Sequence, residues 1–306
     1  MRLVIVAKRP AIPLHRRKYP AELRSEWRAP KGIPMLLNAN LQTGVATIRD
    51  GVKIPFVEQG DPGGFPVLFL HGYTDSWRSF EGVLPLLPHS IRAIAISQRG
   101  HGDADRPISG YRASDLAADL ASFMDARAIE SAVIVGHSMG SYTAQRFAID
   151  NPHRTRGLIL AGSYPTAKGN GEVEELKDAV SALVDPIDPN FVRSFQESTL
   201  ARTISAEFLD AIIGESLKVP ARVWQEAVKS LSRDDHSARL HEIAVPTLVV
   251  WGDQDAFFPR AEQDVLMRTI PGARLVTYAG AGHAIHWEEP RRFAVDVAGF
   301  VASLPR

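Results

Sequence analysis

Residues 132–140, Ala-Val-Ile-Val-Gly-His-Ser-Met-Gly, restrict the fold of this chain more than any other stretch. A short apolar, β-branched run stops at Gly136 and hands one hydroxyl, Ser138, to a helical pattern in which Ala144, Phe147 and Ala148 share a face. A serine held on a sharp strand-to-helix turn takes a strained backbone conformation, so the positions two before and two after it must lack bulk. Gly136 and Gly140 meet that need. The stretch predicts strand, exposed serine, helix.

The rest of the chain can be read around that unit. Val45 to Arg49, the turn Asp50-Gly51 and Lys53 to Glu58 predict an antiparallel hairpin. Pro66 to Leu70 and Ile91 to Ile96 are apolar runs of the kind buried on both faces of a parallel sheet. Ser114 is placed to cap a helix whose Leu116, Leu120, Phe123 and Met124 fall on one face. Arg156 to Ala161, Pro246 to Trp251 and Ala273 to Tyr278 continue the strands, and a last helix starts at Pro290 with Glu288 and Glu289 at its positive end. Strands alternating with helices predict parallel βαβ units wound on both faces of one sheet. Between Tyr164 and Leu240 the strand patterns stop. Helical faces such as Phe208, Ile212 and Ile213, or Val223, Trp224, Ala227, Val228 and Leu231, replace them.

Composition narrows the function classes. Of 306 residues, 45% are hydrophobic and 23% charged, and Lys plus Arg equals Asp plus Glu at 35 each. That balance offers no electrostatic case for nucleic acid, and a small-molecule substrate is the expected partner. With no cysteine the chain has no disulfide, thiolate metal site or cysteine nucleophile, which fits a reducing, cytoplasmic setting. Residues 1–40 stand apart, with nine Lys or Arg against Glu22 and Glu26 and prolines at 10, 13, 20, 30 and 34. The apolar run Leu3 to Ala7 is too short for a signal segment or membrane span. The stretch reads as an arm over the core, with binding to an anionic surface as the alternative.

Ligands of an open parallel sheet sit beyond the carboxyl ends of its strands, and the chemically suggestive residues collect there. His71-Gly72-Tyr73 follows one strand, Arg99-Gly100-His101-Gly102 a second, Ser138 a third, Trp251-Gly252-Asp253-Gln254-Asp255 a fourth, and Gly282-His283, then Glu288-Glu289-Pro290, come last. In this order the motifs resemble those of serine hydrolases of the α/β-hydrolase fold, in the esterase-like branch, over residues 41–306. The resemblance implies a mostly parallel, doubly wound sheet of about eight strands. Residues 41–164 and 241–306 would form its core and 165–240 a helical cap.

It also implies the chemistry. Nucleophile, acid and base in the family's order are Ser138, Asp255 and His283. A serine hydroxyl is a weak nucleophile until a base takes its proton, imidazole titrates near neutral pH, and a buried carboxylate fixes the ring's tautomer. Asp253 competes for the acid role; the family spacing favours Asp255, three residues after Gly252. The backbone amides of Tyr73 and Met139 are the expected oxyanion hole. His71, His101 and His137 read as loop histidines rather than bases. Trp77, His137, Trp224, His286 and Trp287 are candidate pocket lining, and no cofactor or metal is expected. Two departures stand out: Ser97 where the fourth-strand motif commonly begins with aspartate, and Asp103-Ala104 where it commonly ends in serine. The serine elbow disfavours branches with an aspartate nucleophile. Carbon–carbon bond hydrolases, lactonases, cofactor-free perhydrolases and triad-bearing receptors stay open beside an ester hydrolase.

Overall fold

The structure, a computed structural model, describes residues 41–305; the basic arm at 1–40 lies outside them. The strands are β1 (Gln42–Thr47), β2 (Lys53–Gln59), β3 (Phe65–Leu70), β4 (Ile91–Ile96), β5 (Ala132–His137), β6 (Thr155–Ala161), β7 (Thr247–Gly252) and β8 (Arg274–Tyr278). They form one sheet in the order β1-β2-β4-β3-β5-β6-β7-β8, antiparallel at β1·β2 and β2·β4 and parallel in the rest. The hairpin turns where Asp50-Gly51 predicted, both residues having positive φ (58° and 73°). β1 ends two residues before the predicted Arg49, whose guanidinium leaves the strand to reach Asp119 at 2.9 Å.

Alternation along the parallel strands divides the core into two halves. Leu68, Leu70, Ile134 and Val249 point to one face, Val67, Phe69, Val133, Val135, Leu248 and Val250 to the other. The helices α1 (Ala113–Ala126), α2 (Met139–Asp150) and α7 (Arg260–Thr269) cover the first face through Leu120, Phe123, Phe147 and Leu266, among others. The second face is covered by α9 (Pro290–Ala302), which follows the short α8 (Ile285–Glu288), and by the turns around Phe80 and Leu84. Each fully buried Val, Leu or Phe contributes about 1.5–3 kcal/mol.

Between β6 and β7 run α3 (Gly171–Ser181), α4 (Pro189–Ser198), α5 (Ala206–Leu217) and α6 (Ala221–Arg233). Asn170, Asp188 and Ser205 cap three of them with side-chain oxygens that accept backbone N–H bonds. Their apolar faces, including Val192, Phe195, Val223 and Trp224, pack with Tyr73 and Tyr164 of the sheet's loops and with Met139 and Tyr142 of α2.

Two helix starts differ from the sequence reading. Ser114 lies inside α1, whose first amide, that of Ala113, is held by Asp234 Oδ2 at 3.0 Å, while Asp115 Oδ2 accepts from the Arg112 amide. A partner more than a hundred residues away does the capping, which no local pattern reveals. Glu288 turns away from α9, and its carboxylate accepts from the amides of Ala201, Arg202 and Gly282.

The β4 loop is fixed by charge. Asp119 on α1 pairs with the buried Arg99 and with Arg49. Removing one partner of a buried pair leaves an uncompensated charge, at a cost of about 3–5 kcal/mol. Asp119→Ala is therefore expected to lose about 3 kcal/mol or more in equilibrium urea unfolding; a loss below about 1 kcal/mol would show that Arg99 finds water or another acceptor.

Candidate active site

The turn at Ser138 is set by backbone contacts. A Cβ on Gly136 would lie 2.4 Å from Gly140 O, and one on Gly140 would lie 2.2 Å from Leu70 O. Helix α2 thus meets the ends of β5 and β3 with no room for side chains, and the intervening Ser138 takes φ 50°, ψ −117°. Such a left-handed residue costs about 1–3 kcal/mol and is held by its surroundings. Its N–H donates to Ala161 O at 3.0 Å, and its C=O accepts from the amides of Ser141 and Tyr142. The amide of Met139, first in α2, lies among the N–H groups that a helix leaves without an internal partner.

Two loops at the same sheet edge supply an imidazole and a carboxylate. His283 Nδ1 and Asp255 Oδ2 are 2.9 Å apart, with both side chains buried. Asp255 Oδ1 accepts from the amides of Phe257 at 2.9 Å and Phe258 at 3.1 Å. These bonds hold the carboxylate in one orientation and leave Oδ2 for the ring. Asp253, two residues earlier, is exposed and accepts from the Gly280 amide at 2.6 Å. Gly162, at φ 52°, makes way for the imidazole: a Cβ there would sit 3.0 Å from His283 Nδ1. The backbone amide of His283 donates to Thr199 O at 2.9 Å, which ties its loop to the end of α4.

The other histidines brace the loops. His71 Nε2 accepts from the Gln98 amide at 2.9 Å, which leaves Nδ1–H to donate to Gly72 O at 2.8 Å. His101 Nδ1 is 2.9 Å from Arg99 O, and His137 Nε2 is 3.1 Å from His283 O. Burial holds His71 and His137 well below the ordinary imidazole range, and lowers His101 to about 4 and His286 to about 3. At neutral pH these four rings are uncharged braces.

Ser138 and His283 line one cleft whose empty volume, open water at its mouth included, is about 520 Å³. Tyr73, His137 and Trp287 are also on its wall. Trp77, Trp224 and His286 are not. The Trp77 ring lies under the Arg78 guanidinium, 4.7 Å from its centre. Trp224 is fully buried one layer behind the wall, edge-on to Tyr73 and Phe195. His286 Nε2 turns to Ser79 Oγ at 2.9 Å. Sequence reasoning missed Asp75, Tyr164, Phe195, Gln196, Phe257 and Phe258, all on the wall. Phe257 and Phe258 directly follow Asp255 and were within reach of local reasoning; nothing in the sequence marks the α4 residues. The basic residues of α5 and α6 stay off the wall. Lys218 pairs with Glu215 and Asp103, and Lys229 with Glu226. The Arg222 guanidinium donates to Pro107 O at 2.7 Å and to Arg106 O, clamping α6 to the loop after β4.

Comparison with known proteins agrees with this architecture. The model of a family described as alpha/beta hydrolase fold matches residues 66–290. A 2-hydroxy-6-oxononadienedioate/2-hydroxy-6-oxononatrienedioate hydrolase of Paraburkholderia xenovorans (strain LB400) is 30% identical, over 83% of this chain and 93% of its own. A pimeloyl-acyl-carrier-protein methyl ester esterase of Neisseria meningitidis serogroup B is 29% identical, over 77% and 92%. Among solved structures, an esterase from Rhodococcus sp. is 26% identical with a TM-score of 0.74, over 86% and 99%. No described helix is long and apolar enough to cross a membrane. With the family's model spanning well over half of the sequence, the chain belongs to the α/β hydrolase fold family.

Proposed function

We propose that this protein is a serine hydrolase that cleaves neutral, moderately apolar carboxylic esters of small to medium size through an acyl-enzyme. One observation carries the reading: the strained elbow serine and His283, whose ring is paired with Asp255 behind it, share a cleft wall that includes no lysine or arginine.

In this reading Asp255 holds Nδ1–H, so His283 Nε2 is the free base that takes the Ser138 proton as Oγ attacks the ester carbonyl. The tetrahedral oxyanion is stabilised by the amides of Met139 and Tyr73. His283 then returns the proton to the departing alkoxide, and water repeats the sequence to release the acid. The aromatic wall, including Tyr164, Phe195, Phe257 and Phe258, suits apolar acyl or alcohol groups. No metal or organic cofactor has a step to perform. Residues 165–240 act in this reading as the cap that roofs the cleft, and a cytoplasmic setting fits the absence of cysteine.

The relative named for dienedioate hydrolysis favours carbon–carbon cleavage as the second reading. Its named substrate is a dicarboxylate, a group best held by a bidentate arginine, and the wall here offers no cation.

A fluorophosphonate is expected to modify Ser138 and to leave Ser138→Ala unlabelled and inactive. A label mapped elsewhere, or turnover by Ser138→Ala, would remove the nucleophile assignment. Loss of the tautomer-fixing carboxylate costs about 10⁴ in kcat, so Asp255→Asn should fall by that order and Asp253→Asn by no more than about tenfold; stopped assays on the folded proteins decide between them. Across p-nitrophenyl esters from acetate to palmitate, kcat/KM should peak at the short to medium chains. An anionic diketone acid cleaved as well as the best ester would install the carbon–carbon reading instead.

A further inference from the structure

A second carboxyl enters the cleft, and the hydrolytic steps above leave it unused. Asp75, in the loop after β3, is 2% exposed and lies on the same wall as Ser138 and His283. Its Oδ1 accepts from Gln196 Nε2 of α4 at 3.2 Å, and its Oδ2 is 3.4 Å from Ser79 Oγ. A Cβ on Gly72 would lie 3.1 Å from Oδ2 and 2.8 Å from His137 Nδ1, which has no hydrogen-bond partner. Among the described residues no lysine, arginine or histidine forms an ion pair with Asp75; Arg78 and Lys218 are both engaged by Glu215.

A buried carboxyl without a cation opposes folding, and a chain tolerates it most readily where it serves a site. We infer that Asp75 is a specificity-determining residue that sets the charge selectivity of the cleft, turning away substrates with an acidic group near the scissile bond and admitting neutral ones. This rests on the ester-hydrolase reading and supplies its missing cause: the wall lacks a cation and also carries a potential anion. Aromatic side chains around the cleft lower the local dielectric constant below that of bulk water, so repulsion between two carboxylates a few Å apart is worth about one to two powers of ten in binding.

The filter should depend on pH. Burial pushes the Asp75 carboxyl up to about 7, against the opposing pull of Gln196, Ser79, His283 and the Gly72 backbone. Below that pH the group is neutral and the penalty for an anionic substrate is small; above it the group is charged and the penalty is full. The titratable groups facing it are His283, His137 and, behind Ser79, His286; the last two are held neutral by burial. On α5 Glu215 is paired with Arg78 and Lys218, and on α4 Arg193 pairs with Glu197 and Asp210.

The test compares the p-nitrophenyl monoester of adipic acid with its primary-amide isostere. In the wild-type protein the acid-to-amide ratio of kcat/KM should fall by about tenfold or more from pH 6 to pH 8.5, with a midpoint near 7. Asp75→Asn keeps the shape and an acceptor for Gln196 but removes the charge. It should raise the ratio about 10- to 100-fold at pH 8.5 and make it independent of pH. Asp75→Ser, also uncharged, should do the same, and serves if the asparagine variant misfolds. A ratio that neither variant nor pH changes overturns the inference. If neither ester is hydrolysed, the ester reading fails, and equilibrium binding of 5-phenylpentanoate against 5-phenylpentanamide, followed by tryptophan fluorescence at pH 8.5, still judges the filter. The acid should then bind at least about tenfold more weakly to wild type but not to Asp75→Asn; equal binding to wild type overturns the filter whatever the reaction.

Discussion

Everything at the candidate site follows from one close approach, the first turn of α2 against the carboxyl ends of β3 and β5. Because a Cβ on Gly140 would sit 2.2 Å from a carbonyl oxygen of β3, that turn is in backbone contact with the sheet edge. The residue between strand and helix has no helical or extended conformation available and is forced to φ 50°. The strain has a use: Ser138 ends half-exposed at the start of a helix, where unpartnered N–H groups and the positive end of the dipole are nearest. Sheet topology makes this the place for a ligand. The chain runs from β3 to β4 on one side and crosses to β5 on the other, so β3 lies between them. Loops diverge above this switch in strand order and leave a crevice.

Polar groups around the crevice are fixed mainly by backbone amides and carbonyls. Asp255 takes two amide N–H bonds, His71 is held between an amide and a carbonyl, and His137 and His101 each meet a carbonyl. Bonds to the backbone leave little rotational freedom and require no neutralising partner, so the histidines can stay uncharged in a dry setting. The buried Arg99 is the contrast, since a guanidinium cannot shed its proton and needs Asp119. The helices between β6 and β7 join the same network through Tyr73 Oη to Trp224 O, Tyr142 Oη to Asp234 O and the His283 amide to Thr199 O. The wall of the cleft and the positions of the loops are therefore set together.

The strands and the elbow were legible because their cause is local. The apolar runs Pro66 to Leu70 and Ile91 to Ile96 mark strands buried on both faces of the sheet, and the observed strands match those runs to within a residue. Asp50-Gly51 dictates its turn through the backbone freedom of those two positions. Ser114 does not cap α1 because Asp234, distant in sequence, supplies the oxygen. Trp224, a candidate for the pocket lining, lies instead on the inner face of α6, where its ring is edge-on to Tyr73 and Phe195 of the wall.

What the sequence by itself determined is the set of elements, their faces and the loops that carry Ser138, Asp255 and His283 to the strand ends, since each depends on residues within a turn or two of one another. The family spacing favours Asp255 over Asp253 as the partner of the histidine, and the two differ in placement. One aspartate points inward to two amides and the imidazole, while its neighbour two residues earlier lies exposed outside. Only the tertiary structure decided the order of strands, the aromatic residues on the wall and the entry of Asp75 into the cleft. Those depend on contacts such as Gln196 with Asp75, 121 residues apart. Periodicity says which side of an element is buried; the partner it meets there is chosen by packing the whole chain, and the chemistry of the cleft follows that choice.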